Sequence, residues 1–315
     1  MSDPVLIKAI ATAPDSPARK TPAIREPFRI GAVQERWHAD PDKHEAALHA
    51  GIAMAAREGA RLICLQELTL SPYFAVRSDA QEYARTRLEA IPDGPTTDFV
   101  RRTAREFGVH VQASLHERPA DGGLGYNTSI LVGPDGELVA RVRKVHIPAA
   151  AGYHEDIYFR PSDDAEPYPV VEVEHVQCGF PTCWDQWFPE VARIYGLKGA
   201  DLIVYPTAIG SEPDHPKFDT RPLWEKVIVA NGIANGTFMV VVNRIGTEPP
   251  LRFYGSSFIS DPYGRVLVRA PRNRPAVLVA DLDLDQRRDW LDLFPFLSTR
   301  RPDTYSPLAD GDLEL

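Results

Sequence analysis

Cys183 lies in the run Cys-Gly-Phe-Pro-Thr-Cys-Trp-Asp-Gln-Trp-Phe-Pro-Glu, residues 178 to 190. An apolar run, Pro169 to Val173, precedes it and helical spacing follows, which predicts that the thiol sits where a strand gives way to a helix. Backbone N–H groups at such a turn can stabilise an anion, and the start of a helix favours a thiolate. A thiol so placed could attack an electrophilic carbon. A free cysteine can equally be a small buried packing residue, and the motif alone leaves both roles open. Cys64, inside an apolar segment, reads as core.

Two charged side chains are candidates to serve that thiol. Glu67 closes the apolar segment Arg61 to Glu67, and so falls at the carboxyl end of a strand, where folds of alternating strands and helices gather their active-site groups. Standing alone, it could also be a cap for backbone groups. The loop after it, Leu68 to Tyr73, is apolar rather than solvated. Lys144 lies in Arg-Val-Arg-Lys-Val-His-Ile-Pro, residues 141 to 148, at the end of a hairpin arm, where Lys144 and His146 share a face. A hairpin lysine is ordinarily solvated. Residues 149 to 161 set Tyr153, His154, Tyr158 and Phe159 beside Glu155 and Asp156, and rings held in a polar loop point to a pocket wall. A long irregular loop from Thr207 to Pro222 carries Glu212, Asp214, His215, Lys217 and Asp219.

The elements that must carry these groups follow from periodicity and punctuation. Phe28 to Gln34 reads as a strand buried on both faces; Asp40-Pro41 caps a helix running to about Glu58, and Gly59 ends it. Helical stretches are expected near 80–88 and 96–107, and strands over 109–116, 201–206, 238–244 and 276–282. Helices are expected over 189–197, 223–235 and 285–293. Hairpins pair 126–132 with 137–147 around Pro134-Asp135-Gly136, and 255–259 with 266–268 around Pro262-Tyr263-Gly264. The two hairpins occupy comparable places in two halves that otherwise alternate strand and helix. This predicts an α/β fold: one domain, a four-layer α-β-β-α sandwich of two mixed sheets. Residues 1–27, broken by Pro4, Pro14, Pro17, Pro22 and Pro27, read as an arm outside the core; 28–305 form the domain, and 306–315 a tail.

Composition excludes several classes. The chain has 315 residues, 43% apolar and 25% charged, as an ordinary globular protein does. A formal net charge of −9 offers no electrostatic footprint for nucleic acid or an anionic membrane, so the expected partner is a small molecule or another protein. No apolar run is long enough for a membrane helix, and the start of the chain lacks a secretory pattern. Three irregularly spaced cysteines make no disulfide framework, and no metal-binding spacing occurs; reduced thiols in a cytoplasm fit best.

Leu-Gln-Glu-Leu around Glu67, Arg-Lys-Val-His-Ile-Pro around Lys144 and Cys-Trp-Asp-Gln-Trp-Phe-Pro-Glu around Cys183 occur in the order of a known family. The chain resembles the nitrilase superfamily of carbon-nitrogen hydrolases from about Phe28 to Tyr305. Within it, Tyr-Pro-Thr-Ala-Ile-Gly-Ser-Glu-Pro from Tyr205 and Gly-Tyr-His-Glu from Gly152 are similar to N-carbamoylputrescine amidases. The resemblance implies Cys183 as nucleophile, Glu67 as general base, Lys144 as the cation for an oxyanion and Glu155 as a second, orienting carboxylate. It also implies a homo-oligomer, no metal and no cofactor. The backbone N–H of Trp184 would assist Lys144, and Tyr73, His154, Thr207 and Glu212 are candidate substrate-binding residues. The implied reaction is hydrolysis of an N-carbamoyl amine through a carbamoyl thioester. N-carbamoyl-β-alanine, another linear amide or a nitrile are alternative substrates, and a catalytically silent interaction subunit is a third reading. Two departures bear on the substrate's distal half: Ala149-Ala150-Ala151 replaces a polar loop, and Pro222-Leu223 stands before Trp224 where Asp-His is expected.

Overall fold

A computed structural model describes residues 4–11 and 15–309. The first half comprises Val5–Ala9 (β1), Phe28–Gln34 (β2), Pro41–Arg57 (α1), Leu62–Cys64 (β3), Gln81–Arg85 (α2), Leu88–Glu89 (β4), Pro95–Phe107 (α3), His110–Glu117 (β5), Tyr126–Val132 (β6) and Leu138–Arg143 (β7). A small hairpin, Ala149–Ala150 (β8) with Tyr153–His154 (β9), links it to the second half. There follow Val170–Val173 (β10), Val176–Gly179 (β11), Pro189–Leu197 (α4), Leu202–Thr207 (β12), Arg221–Asn235 (α5), Phe238–Asn243 (β13), Ile245–Glu248 (β14), Leu251–Tyr254 (β15), Phe258–Ser260 (β16) and Val266–Arg269 (β17). Ala276–Leu282 (β18) and Asp285–Leu293 (α6) complete the fold.

Each half repeats one plan. In the first, β2, β3 and β5 run parallel and are followed by the antiparallel pair β6 and β7; in the second, β11, β12 and β13 run parallel and β16 and β17 follow antiparallel. The strand order is β1-β18-β2-β3-β5-β6-β7 in one sheet, with β4 beside β5, and β10-β11-β12-β13-β16-β17 in the other. Because strand side chains alternate, Ile30, Ala32, Leu62 and Cys64 of the first sheet meet Cys178, Leu202, Val204 and Val240 of the second in a shared core. The opposite face of the first sheet packs Val33, Ile63 and Val111 on Leu48, Ile52, Phe99 and Val100 of α1 and α3. Ile203, Tyr205 and Met239 likewise pack on Val191, Tyr195, Trp224 and Ile228 of α4 and α5. The layers are therefore helix, sheet, sheet, helix, as the alternation predicts.

Local chemistry sets the boundaries. Asp40 caps α1 by accepting the Lys43 N–H, and Pro41 fills the first turn, where no N–H is needed. Gly51 in α1 lets the helix approach β2 closely; a Cβ there would lie 2.5 Å from Val33 Cγ1.

Four expectations are corrected. The described residues of the arm, 4–11 and 15–27, are not all outside the core: β1 pairs in parallel with β18, and Arg25 grips both Asp201 oxygens at 2.7 and 2.8 Å, so these parts are strapped to their own chain. The strand expected over 61–67 stops at Cys64, and the helix expected over 80–88 stops at Arg85, with Leu88 instead joining β4 beside β5. Cys183 follows β11 of a hairpin, β10 with β11, rather than the apolar run itself. The β14–β15 hairpin was not anticipated, because Gly246 and Pro249-Pro250 break its alternation.

The apolar stretch 290–297 is partly accounted for within the chain. Trp290 Nε1 donates to the Ile233 carbonyl at 2.9 Å, and its ring meets Tyr263, Phe294 and Phe296, while Leu293 and Phe294 stay exposed. Among the described residues no helix is long and apolar enough to cross a membrane.

Candidate active site

Glu67 sits beyond the end of β3, on a bend laid over β5, where the Thr69 N–H reaches the Ser114 carbonyl. The next residue, Leu68, has φ +47°, a left-handed conformation that costs a non-glycine residue about 1–3 kcal/mol and persists only where surrounding contacts enforce it. Glu67 Oε1 accepts from Lys144 Nζ at 3.0 Å and from Asn127 Nδ2 at 2.7 Å. Its Oε2 is buried and has no hydrogen-bond partner among the described residues.

Lys144 is the first residue past β7, and its own N–H donates to the Asn127 carbonyl at 2.8 Å. Asn127 thus anchors the lysine's backbone and the carboxylate the lysine serves. Lys144 Nζ also donates to both Glu155 oxygens, at 2.8 and 2.7 Å, and the Tyr73 hydroxyl donates to Glu155 Oε1 at 2.6 Å. The side chains of Lys144, Glu67 and Glu155 are inaccessible to solvent. One ammonium therefore stands between two buried carboxylates.

That imbalance sets the electrostatics. Burial alone would pull the Lys144 ammonium down, but Glu155 and Glu67 outweigh it and hold the group above its ordinary value. Burial pushes the Glu155 carboxyl up, against the pull of Lys144. Burial and the Glu67 charge push the Cys183 thiol well up, opposed by Lys144 and by the Ala208 N–H, which donates toward the sulfur. The balance favours the protonated sulfur over the thiolate. The expectation that a helix start would favour a thiolate yields here to desolvation.

Cys183 itself has φ +40° and is 5% exposed. It follows the extended Thr182 and opens a 3-10 turn, Cys183–Trp187, that leads into α4. Asp185 fixes this turn: its Oδ2 accepts the Thr182 N–H at 3.1 Å, and its Oδ1 lies 3.0 Å from His146 N and 2.8 Å from His146 Nδ1. The His146 ring stacks on Phe188 at 3.7 Å. The segment just past Lys144 is in this way pinned to the turn that carries the thiol.

The remaining candidates divide. Tyr73 belongs to the hydrogen-bonded cluster. Trp184 is half-buried, and its N–H lies in the first turn of a helix, where no intrahelical acceptor exists. Thr207 is buried at the end of β12, with its hydroxyl 3.4 Å from Gln186 Oε1 and 3.1 Å from the Tyr205 carbonyl, so it braces the cysteine turn from behind. Glu212 is half-buried and accepts from the Thr220 hydroxyl at 2.9 Å; its charge acts on the Tyr153 and Tyr254 hydroxyls, which also feel Cys183. Of the other acids in that loop, Asp219 is taken by Arg272 and Asp214 is exposed. The half-buried His154 makes no hydrogen bond to the cluster. Asn127 and Asp185 were missed. A polar residue in the otherwise apolar β6, and the acid inside the cysteine motif itself, were the available signals.

The family model described as carbon-nitrogen hydrolase matches residues 29–292. The chain is 33% identical to citrullinase of Francisella tularensis, over 90% of this chain and 98% of that protein. It is 34% identical to N-carbamoylputrescine amidase of Arabidopsis thaliana, over 93% and 100%. Among solved structures, a carbon-nitrogen hydrolase from Helicobacter pylori G27 superposes with a TM-score of 0.78 at 29% identity, covering 91% of this chain and 99% of that one.

Proposed function

This chain belongs to the carbon-nitrogen hydrolase family and is a hydrolase of carbon-nitrogen bonds; from that premise we propose that it hydrolyses the ureido group of an N-carbamoyl amine, with Cys183 as nucleophile. The observation that supports this most is Glu67. One of its oxygens is fixed by Lys144 and Asn127 and the other is buried without a hydrogen-bond partner among the described residues, which suits a base waiting for a proton.

In this reading Glu67 Oε2 takes the thiol proton as the sulfur attacks the ureido carbon. The raised thiol value makes a dedicated base necessary. The carbonyl oxygen becomes an oxyanion held by Lys144 and the Trp184 N–H. Donors of this kind each lower such a barrier by about 3–4 kcal/mol. The terminal C–N bond breaks, and Glu67 returns its proton to the departing ammonia. A water, deprotonated by Glu67, then attacks the carbamoyl thioester; the C–S bond breaks, the sulfur recovers a proton, and the released carbamate splits into amine and carbon dioxide. Glu155, held by Tyr73, keeps Lys144 in place.

For the distal half, Glu212 beside Tyr153 and Tyr254 favours a cationic end. Unlike charges about 4 Å apart gain roughly 4 kcal/mol at an effective dielectric near 20, before desolvation takes some back. Of the compounds named in two relatives, N-carbamoylputrescine carries a ureido group and a lone amino group at opposite ends of a short carbon chain, whereas the far end of citrulline bears a carboxylate as well as its amino group. The reading includes a homo-oligomer in the cytoplasm, with its three cysteines reduced. Light scattering at low micromolar concentration tests assembly, and a 35 kDa species would exclude it.

Ammonia release from N-carbamoylputrescine, citrulline and N-carbamoyl-β-alanine, with Cys183→Ala as control, tests the chemistry. Amine-ended compounds are expected to give the higher specificity constants and the control none. A tenfold preference for N-carbamoyl-β-alanine would overturn the substrate assignment, and a silent wild-type protein would overturn the enzyme reading.

A further inference from the structure

Arg244 is a completely buried arginine just past β13, in the second half of the molecule, yet its guanidinium works on the first. Its Nη2 donates to the carbonyls of Glu67 at 2.7 Å, Ser71 at 3.1 Å and Leu68 at 3.2 Å. Its Nη1 donates to Glu248 Oε1 at 2.7 Å, at the end of β14, and Glu248 Oε2 accepts the Tyr73 N–H at 2.6 Å. Phe253 of β15 meets the Tyr73 ring edge-on at 5.9 Å and lies under the Arg244 guanidinium at 5.5 Å. The β14–β15 hairpin is thus a platform for residues 67–73. That segment begins at Glu67, whose charge acts on the Cys183 thiol, and ends at the tyrosine that holds Glu155.

The contacts are specific to a planar fork. A guanidinium presents several donors in fixed directions, so one side chain can tie down three carbonyls of a bend while a carboxylate fixes its other edge. The bend needs such a restraint, since Leu68 sits at φ +47°. Neither Arg244 nor Glu248 bonds to a side chain of the Lys144 cluster.

We propose that Arg244 and Glu248 are positioning residues: Arg244 sets the direction of the Glu67 carboxylate by holding its bend, and Glu248 sets Glu155 through Tyr73. The proposal rests on the reading of Glu67 as the base. Arg244→Lys keeps the charge and loses the fork. It is expected to lower kcat 10- to 100-fold with KM within threefold of wild type. Because Arg244 acts through Glu67, the same substitution made in Glu67→Gln enzyme is expected to change the residual kcat less than threefold, measured in long incubations at high enzyme concentration. A wild-type kcat in folded Arg244→Lys would overturn the proposal, and so would an equal fall in both backgrounds, which would mark a general structural role. Wild-type turnover by Glu67→Gln alone would instead sink the base assignment, a separable failure. Should Arg244→Lys not fold, Glu248→Gln takes its place. A glutamine cannot accept from both Arg244 and Tyr73, so its kcat is expected to fall at least fivefold with KM unchanged, and an unchanged kcat would overturn the proposal.

Discussion

Two networks of charge in this molecule use the same ion pairs to opposite ends. Around Lys144, one ammonium and two carboxylates are shut away from solvent, and one carboxylate oxygen has no partner among the described residues. Along the N-terminal segment, Arg19 reaches Asp283 and Asp289 while Arg25 reaches Asp201, with the arginines 26% and 30% exposed. In the strap each cation keeps part of its hydration, and the pairs add modest stability. In the cluster the desolvation cost offsets much of the attraction, so the arrangement stabilises the fold little. Cys183 extends the contrast, since its burial disfavours the very ion the proposed reaction requires.

Substitutions can break this comparison or sharpen it. Cys183→Ala is expected to reduce ammonia release by about 10⁴-fold or more while shifting the melting temperature little, because a sulfur is lost and almost no packing. Retained turnover would remove the thiol from the mechanism. Lys144→Met should lower kcat by about 10³-fold and also destabilise the fold by about 3–5 kcal/mol, since two buried carboxylates lose their counter-ion. The pH dependence carries a sign. Glu155 has a folded value above its unfolded one, so the folded state holds a proton that the unfolded state has released, and stability falls as pH rises through that range. The melting deficit of Lys144→Met should therefore be large at pH 8 and shrink toward pH 4; a pH-independent deficit would deny that charge is the cause.

In the strap the expected effects are smaller. Arg19→Ala should cost about 1 kcal/mol at pH 7 and leave kcat within twofold. Burial alone would raise Asp289, but hydrogen bonds from Ser16, Arg288 and Arg19 depress it. Its contribution is present above the unfolded aspartate value and is lost as pH falls through the lower, folded one, so the gap between variant and wild type should close as acid takes the pH below that folded value. Smallest of all, Lys8→Ala removes a surface pair with Glu58 whose lysine is 51% exposed, and calorimetry should register less than about 0.5 kcal/mol.

What was readable in the sequence follows the reach of the interactions. Glu67, Lys144 and Cys183 became candidates because each follows an apolar run that periodicity marks as a strand, but taken singly they kept bland readings and only the family motifs around them gave them roles; the sandwich followed from strands and helices that alternate locally. Arg244 was not visible. Its partners lie in a bend far back in the chain, and nothing near it in sequence distinguishes a buried arginine at a strand end from a solvated one. Asn127 was hidden for the same reason, and β1 because its apolar residues are framed by prolines that read as disorder. The helix start that favours a thiolate is a local feature and could be read from the sequence, whereas the burial of Cys183 and the charge of Glu67, which oppose it, could not.

The order of the first sheet also bears on how the chain is made. β18 lies between β1 and β2, so two strands from the start of the chain wait for the last strand to be synthesised before they are joined. Until then β2 presents an open edge to anything that can pair with it, and pairings this distant in sequence are slow to form. A nascent or truncated chain ending before Ala276 carries an unfilled slot of strand width in its central sheet, which is the shape that invites aggregation or capture by a chaperone. The last strand is in effect a keystone, and the molecule becomes safe to release only when it is set.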